Sequence, residues 1–102
     1  MKFITFSMYD AAKSAELMQA ADKAHKMPGQ KTLAAYACLG LPFPGVLPPN
    51  TIVGFTIREA ESAEALASVL YTLTVAGATT WAVPVVEMPV GSLAAEEKKL
   101  RK

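Results

Sequence analysis

Two stretches of alternating side chains constrain this chain more than any other feature. Lys2 to Tyr9 reads KFITFSMY, and Thr51 to Arg58 reads TIVGFTIR. In each, aromatic and β-branched residues recur at every second position, the period of a strand and not of a helix. In the first, Ile4, Phe6 and Met8 share one face and Phe3, Thr5 and Ser7 the other. In the second, Val53, Phe55 and Ile57 share one face and Gly54, Thr56 and Arg58 the other.

The segments around them complete a repeating order. Asp10 is a suitable helix N-cap, because its carboxylate accepts from an early backbone N–H. Ala11 to Lys26 then carries Ala11, Ala15, Met18, Ala21 and His25 at helical spacing, and Pro28-Gly29 ends the helix. Lys31 to Leu41 (KTLAAYACLGL) is a second, alanine-rich strand. Residues 41 to 50 (LPFPGVLPPN) hold four prolines and a glycine, which exclude helix and ladder alike. This stiff apolar loop is a candidate lid, with Phe43 and Val46 facing in. Ser62 caps a second helix whose apolar stripe is Leu66, Val69, Leu70, Leu73 and Ala76, closed by Gly77. Thr79 to Met88 (TTWAVPVVEM) is a strand apolar on both faces, confined to an edge or bulge by Pro84. Beyond Gly91-Ser92, a short charged helix is expected.

The predicted order is strand, helix, strand, strand, helix, strand: an α+β fold of the split β-α-β pattern. Residues 1–90 form one domain and residues 91–102 a charged C-terminal tail. Right-handed crossovers place the first and third strands at the centre of one antiparallel sheet and the fourth at an edge. Both helices cover one face. Ile4, Phe6, Met8, Val53, Phe55 and Ile57 suit contact with the helices, which leaves Thr5, Ser7, Thr56 and Arg58 on the opposite face, with Tyr36 and Cys38 a strand away. An apolar edge strand is an aggregation hazard unless something covers it. A second copy of the chain removes the hazard, so a homodimer is expected.

Composition narrows the partners. Hydrophobic residues make up 52% of 102 positions and charged residues 19%, an apolar surplus that suits a subunit interface or a pocket. The formal net charge is +1. The one basic cluster, Lys98, Lys99, Arg101 and Lys102, is offset by Glu96 and Glu97. Nucleic acid, which needs a clustered positive field, is not an expected partner. VGFTI is similar to the RNA-recognition signature on this topology, but that signature needs exposed aromatics and nearby basic residues, and Phe55 is predicted to face the helices. No run is long enough for a membrane span, and the N-terminus lacks the form of a signal peptide. The single cysteine, Cys38, makes no internal disulfide. A cytoplasmic location follows.

The length, the β-α-β-β-α-β order and the Pro-containing final strand (AVPVVEMPV) resemble the small dimeric α/β-barrel proteins, ferredoxin-like domains that pair sheet to sheet. The resemblance covers residues 1 to about 90. It implies relatives such as antibiotic-biosynthesis-type monooxygenases, muconolactone isomerases, haem-degrading enzymes and stress-responsive barrel proteins. No catalytic residue of theirs is matched position by position.

Candidate ligand-binding residues are Arg58, Thr56, Tyr36, Trp81 and His25. Arg58 and Thr56 lie on a polar strand face that a barrel would enclose, where buried polar groups must find partners. An arginine there needs a carboxylate, Glu59 or Glu87, or an anionic ligand. Tyr36 and Trp81 are wall candidates. His25 ends a helix, where the dipole favours its charged form. Cys38 has no adjacent cation to activate it as a nucleophile. The sequence holds no metal-ligand cluster and no phosphate loop, so neither metal nor cofactor is expected. The functional expectation is a homodimeric small-molecule-binding barrel, or a cofactor-independent enzyme of monooxygenase or isomerase type acting on a hydrophobic substrate. The alternative is a non-enzymatic sensory or assembly domain that binds an effector at the dimer interface.

Overall fold

A computed structural model of the chain describes residues 1–40, 42, 48 and 50–101. Most of the proposed lid, including Phe43 and Val46, lies outside the described residues. One antiparallel sheet contains β1 (Lys2–Asp10), β2 (Gln30–Ala37), β3 (Thr51–Ala60) and β4 (Thr79–Pro84) in the spatial order β2-β3-β1-β4. α1 (Ser14–His25) connects β1 to β2, α2 (Ala63–Val75) connects β3 to β4, and α3 (Leu93–Leu100) follows. The expected order holds, with β1 and β3 central and β4 at an edge.

The element ends differ in ways local chemistry explains. The Asp10 carboxylate accepts from Ala12 N at 2.8 Å, but what it caps is a single 3-10 turn, Ala11–Lys13, so α1 proper begins at Ser14 and not at Ala11. Ser62 caps α2 as predicted, accepting from Ala65 N at 3.1 Å. Gly77 takes φ +112° just past α2, a conformation strained for any residue with a Cβ. β2 stops at Ala37, short of Leu41. β4 stops at Pro84, short of Met88, although Val85 N still donates to Lys2 O at 3.0 Å; Pro84 stands opposite Phe3, where the N–H it lacks would face away from β1.

The strand faces are the reverse of those expected. Phe3, Thr5, Ser7 and Tyr9 of β1 lie on the helix side, as do Gly54, Thr56 and Arg58 of β3. Tyr9 packs with Leu17, Leu73 and Ala78 in the core, and Phe3 lines a hollow together with Leu66 and Leu70 of α2. Ile4, Phe6, Phe55 and Ile57 therefore point away from the helices. Alternation along a strand defines two faces without saying which one is covered. Here both sets carry apolar residues, so hydrophobicity did not separate them.

The face of α1 is also displaced. Leu17 and Ala24 are its buried residues, while Met18 is 51% exposed and His25 is exposed. The predicted stripe through Met18 and His25 sits one residue, or about 100°, from the true one. In α2 the predicted stripe is correct: Leu66, Val69 and Leu73 are buried.

The two helices fill the two halves of the sheet differently. α2 brings leucine and valine down onto Phe3, Tyr9 and Ala60. α1 turns Leu17, Ala21 and Ala24 toward strands that offer Ser7, Ala35, Ala37 and Gly54. Small residues opposite small residues leave a hollow between α1 and the β2-β3-β1 part of the sheet.

The molecule is a thin slab, with principal extents of 45 × 35 × 19 Å. Its radius of gyration is 15.3 Å, against about 13 Å for a compact chain of this length. Its accessible surface is 6886 Å², against roughly 5,500 Å² for a folded monomer of this mass. A sheet and one helix layer account for the thickness; on the far face Val53 is buried, but the aromatic middle of that face has no covering layer among the described elements.

Candidate functional site

The hollow beneath α1 is a cleft of about 280 Å³. Thr5, Ser7, Gly54, Thr56 and Arg58 form its floor, Leu17, Met18 and Ala21 its roof, and Tyr9 and Leu73 its inner end. A Cβ added to Gly54 would come within 3.3 Å of the Tyr36 carbonyl oxygen, so glycine keeps the floor low. Larger hollows exist, including one of about 540 Å³ on the outer side of the helices, but that one lies among exposed Glu16, Gln19, Lys23 and Tyr71 and holds no buried polar group.

Arg58 is the distinctive group. It is 4% exposed. Its Nε donates to Thr5 Oγ1 at 3.2 Å, and its Nη1 donates to Gln30 Oε1 and Thr32 Oγ1, both at 2.8 Å. Thr5 and Thr56 face each other across β1 and β3 with their hydroxyls in hydrogen-bond contact. Gln30 ties this network to α1, since its Nε2 donates to the carbonyls of Ala24, His25 and Met27 at 3.3, 3.0 and 3.1 Å. Ala24 and His25 end α1 and Met27 lies just past it, and the Ala24 carbonyl also accepts from Met27 N at 3.1 Å.

Every partner of Arg58 among the described residues is neutral. The carboxylates expected for it are engaged elsewhere: Glu59 lies 3.3 Å from the N-terminal ammonium and Glu87 lies 3.0 Å from Lys2 Nζ. Burial lowers the pKa of the Arg58 guanidinium, because desolvation penalises its charge. Burial likewise raises the pKa of the Tyr9 phenol at the other end of the cleft.

The predicted site residues divide into three places. Arg58 and Thr56 lie together in the cleft, and Tyr36 contributes to its rim at β2. The Tyr36 ring stacks on Phe55 with centroids 5.0 Å apart, on the uncovered face. Trp81 is also on that face, stacked on Phe6 at 5.0 Å, and walls no part of the cleft. His25 is exposed at the end of α1, contributing only its carbonyl oxygen to Gln30. Sequence reasoning missed Gln30 and Thr32. The signal for Thr32 is register, since it stands directly opposite Arg58.

The uncovered face carries an aromatic row across all four strands of the sheet: Tyr36, Phe55, Phe6 and Trp81, with the middle pair 6.0 Å apart. Phe55 thus stands where an RNA-recognition platform would place an aromatic, so the facing reason against that reading falls. The charge reason stands. The ionic residues on this face, Lys2, Lys31 and Glu59, are mixed in sign, and Lys2 is paired with Glu87. No helix among the described residues is long and apolar enough to cross a membrane.

Fold and site together define the class: a small α+β domain with an open four-stranded antiparallel sheet, a half-polar cleft under one helix and an uncovered aromatic face. No protein-family model and no curated protein matches the chain. Among solved structures it is similar to a DUF3240 family protein from Shewanella baltica, with a TM-score of 0.50 and 10% identity over 86% of this chain and 93% of that one. At that identity the likeness is one of fold.

Proposed function

We propose that this chain is a homodimeric small-molecule-binding protein of the ferredoxin-like, dimeric-barrel type, with its ligand held between α1 and the sheet. The observation that carries the reading is the cleft: about 280 Å³, mostly apolar in lining, with a buried guanidinium that has no carboxylate partner among the described residues. That volume suits a small ligand, and a few converging polar groups in an apolar hollow are the ordinary form of such a site. Binding is favoured over turnover. Among the described lining residues there is no carboxylate, imidazole or thiol, so an acid–base pair would have to come from the ligand or from Tyr9.

The pairing is supported by the uncovered face. A protomer exposing about 1,300 Å² more than a typical monomer has enough spare surface for a standard interface of about 800 Å² per partner. An isologous contact of sheet face on sheet face would bury the aromatic row. That row also favours a second reading, a sensory or assembly domain whose effector sits at the interface between sheets. Native mass spectrometry of the protein as purified from cells separates the two. A small molecule retained by the wild type and lost in Ala35→Leu, which fills the cleft from the exposed edge of β2, places the ligand under α1. A molecule retained by Ala35→Leu but lost in Trp81→Ala places it between the sheets and overturns the first reading.

A further inference from the structure

The cleft's charges and length point to the class of ligand, an inference that rests on the cleft being a binding site. Arg58 spends Nε and Nη1 on neutral acceptors, and Nη2 makes none of these bonds. Among the described residues no buried side-chain nitrogen or oxygen lacks a partner, so Nη2 keeps contact with open space. The open space that Arg58 lines is the cleft. Ser7, two residues from Thr5 on the same floor, has a hydroxyl engaged in no hydrogen bond among the described residues. One cation and one hydroxyl are therefore available at the floor of the cleft. Lysine, histidine and metal-ligating carboxylates are absent from the described lining.

A buried cation with only neutral partners is costly, and an anion bound to it removes that cost. A single positive charge balances a single negative one. A phosphate dianion in the same place would leave excess negative charge among Leu17, Met18 and Leu73, which the low-dielectric lining penalises. The floor runs along β1 from Thr5 to Tyr9, about 13 Å at the rise of a strand, which is the length of an extended chain of roughly eight to ten carbons. Its far end is apolar, closed by Leu17, Leu73 and Tyr9.

We propose that the cleft takes a monocarboxylate with an unbranched or narrow apolar body, its carboxylate on Arg58 Nη2 beside Thr5, its tail past Ser7 toward Tyr9. Isothermal titration of the full chain with octanoate, 1-octanol and octyl phosphate tests it. Octanoate should bind about tenfold or more tightly than 1-octanol, the worth of a charge-assisted hydrogen bond in a desolvated site. Octyl phosphate should bind more weakly than octanoate. Arg58→Met, with its fold checked by circular dichroism, should bring octanoate down to the affinity of octanol. The wild-type comparison alone decides the matter if that variant does not fold. Equal affinity for octanoate and octanol overturns the carboxylate assignment and leaves the cleft as an apolar site. Tighter binding of octyl phosphate overturns it in favour of a phosphate ligand. Binding of none of the three overturns the cleft reading as well.

Discussion

Arg58 and Tyr9 mark the two ends of one cavity, and burial acts on both through the same physics. Desolvation disfavours the charged form, so it lowers the pKa of the guanidinium and raises that of the phenol. For Tyr9 this has a sign that stability measurements read. Its folded pKa lies above the ordinary 10.0, so the folded state holds its proton longer than the unfolded state does. The stability contributed by the neutral phenol is complete below that ordinary value and is lost as pH rises through the folded one. Urea midpoints measured from roughly pH 8 to 11 should fall more steeply for the wild type than for Tyr9→Phe, which has no proton to lose. Parallel curves would mean that the phenolate reaches water without cost.

The two helices show how much of an element a sequence reveals. α2 repeats leucine and valine at helical spacing through Leu66, Val69 and Leu73, so its buried set was legible even though Tyr71 and Val75 leave apolar surface on its outer side. α1 offers alanine nearly all round, with Leu17 and Met18 as neighbours, and nothing local says which of the two turns inward. Met18 looked equivalent until the sheet beneath was known. Leu66→Ala should therefore cost about 2–4 kcal/mol in denaturant unfolding, since it removes a buried side chain of α2. Met18→Ala should cost less than about 1 kcal/mol, since that side chain is half exposed. A loss above about 2 kcal/mol at Met18 would mean that α1 is rotated from the arrangement described.

At the scale of the whole molecule, the proposal of self-association rests on the thin slab and its aromatic face. The sequence rested that case on the apolar final strand. With β4 ending at Pro84, the weight moves to Phe6, Phe55, Tyr36 and Trp81 in the middle of the sheet. Tyr36 is 56% exposed in the protomer, so a charge there is tolerated by the single chain and not by a buried interface. Multi-angle light scattering at micromolar concentration should find at least two protomers for the wild type and one for Tyr36→Glu, with unchanged circular dichroism. A wild-type monomer would end the proposal that the sheet faces pair.

The order of elements, the central places of β1 and β3, the edge place of β4 and the cap at Ser62 were determined by the sequence alone. Each depends on a period, a connection rule or a side-chain acceptor within a few residues of its target. Arg58 and Thr56 were legible as a pair because they share a face two residues apart. What only the tertiary structure decided is which face that was. A strand with apolar residues on both sides has two burial patterns of similar free energy, and the choice falls to what the helices bring down upon it. Here α1 brings mostly alanine. It settles over Ser7, Gly54 and the threonines, leaving a cavity around the arginine, while the bulkier aromatic face has no covering layer among the described residues.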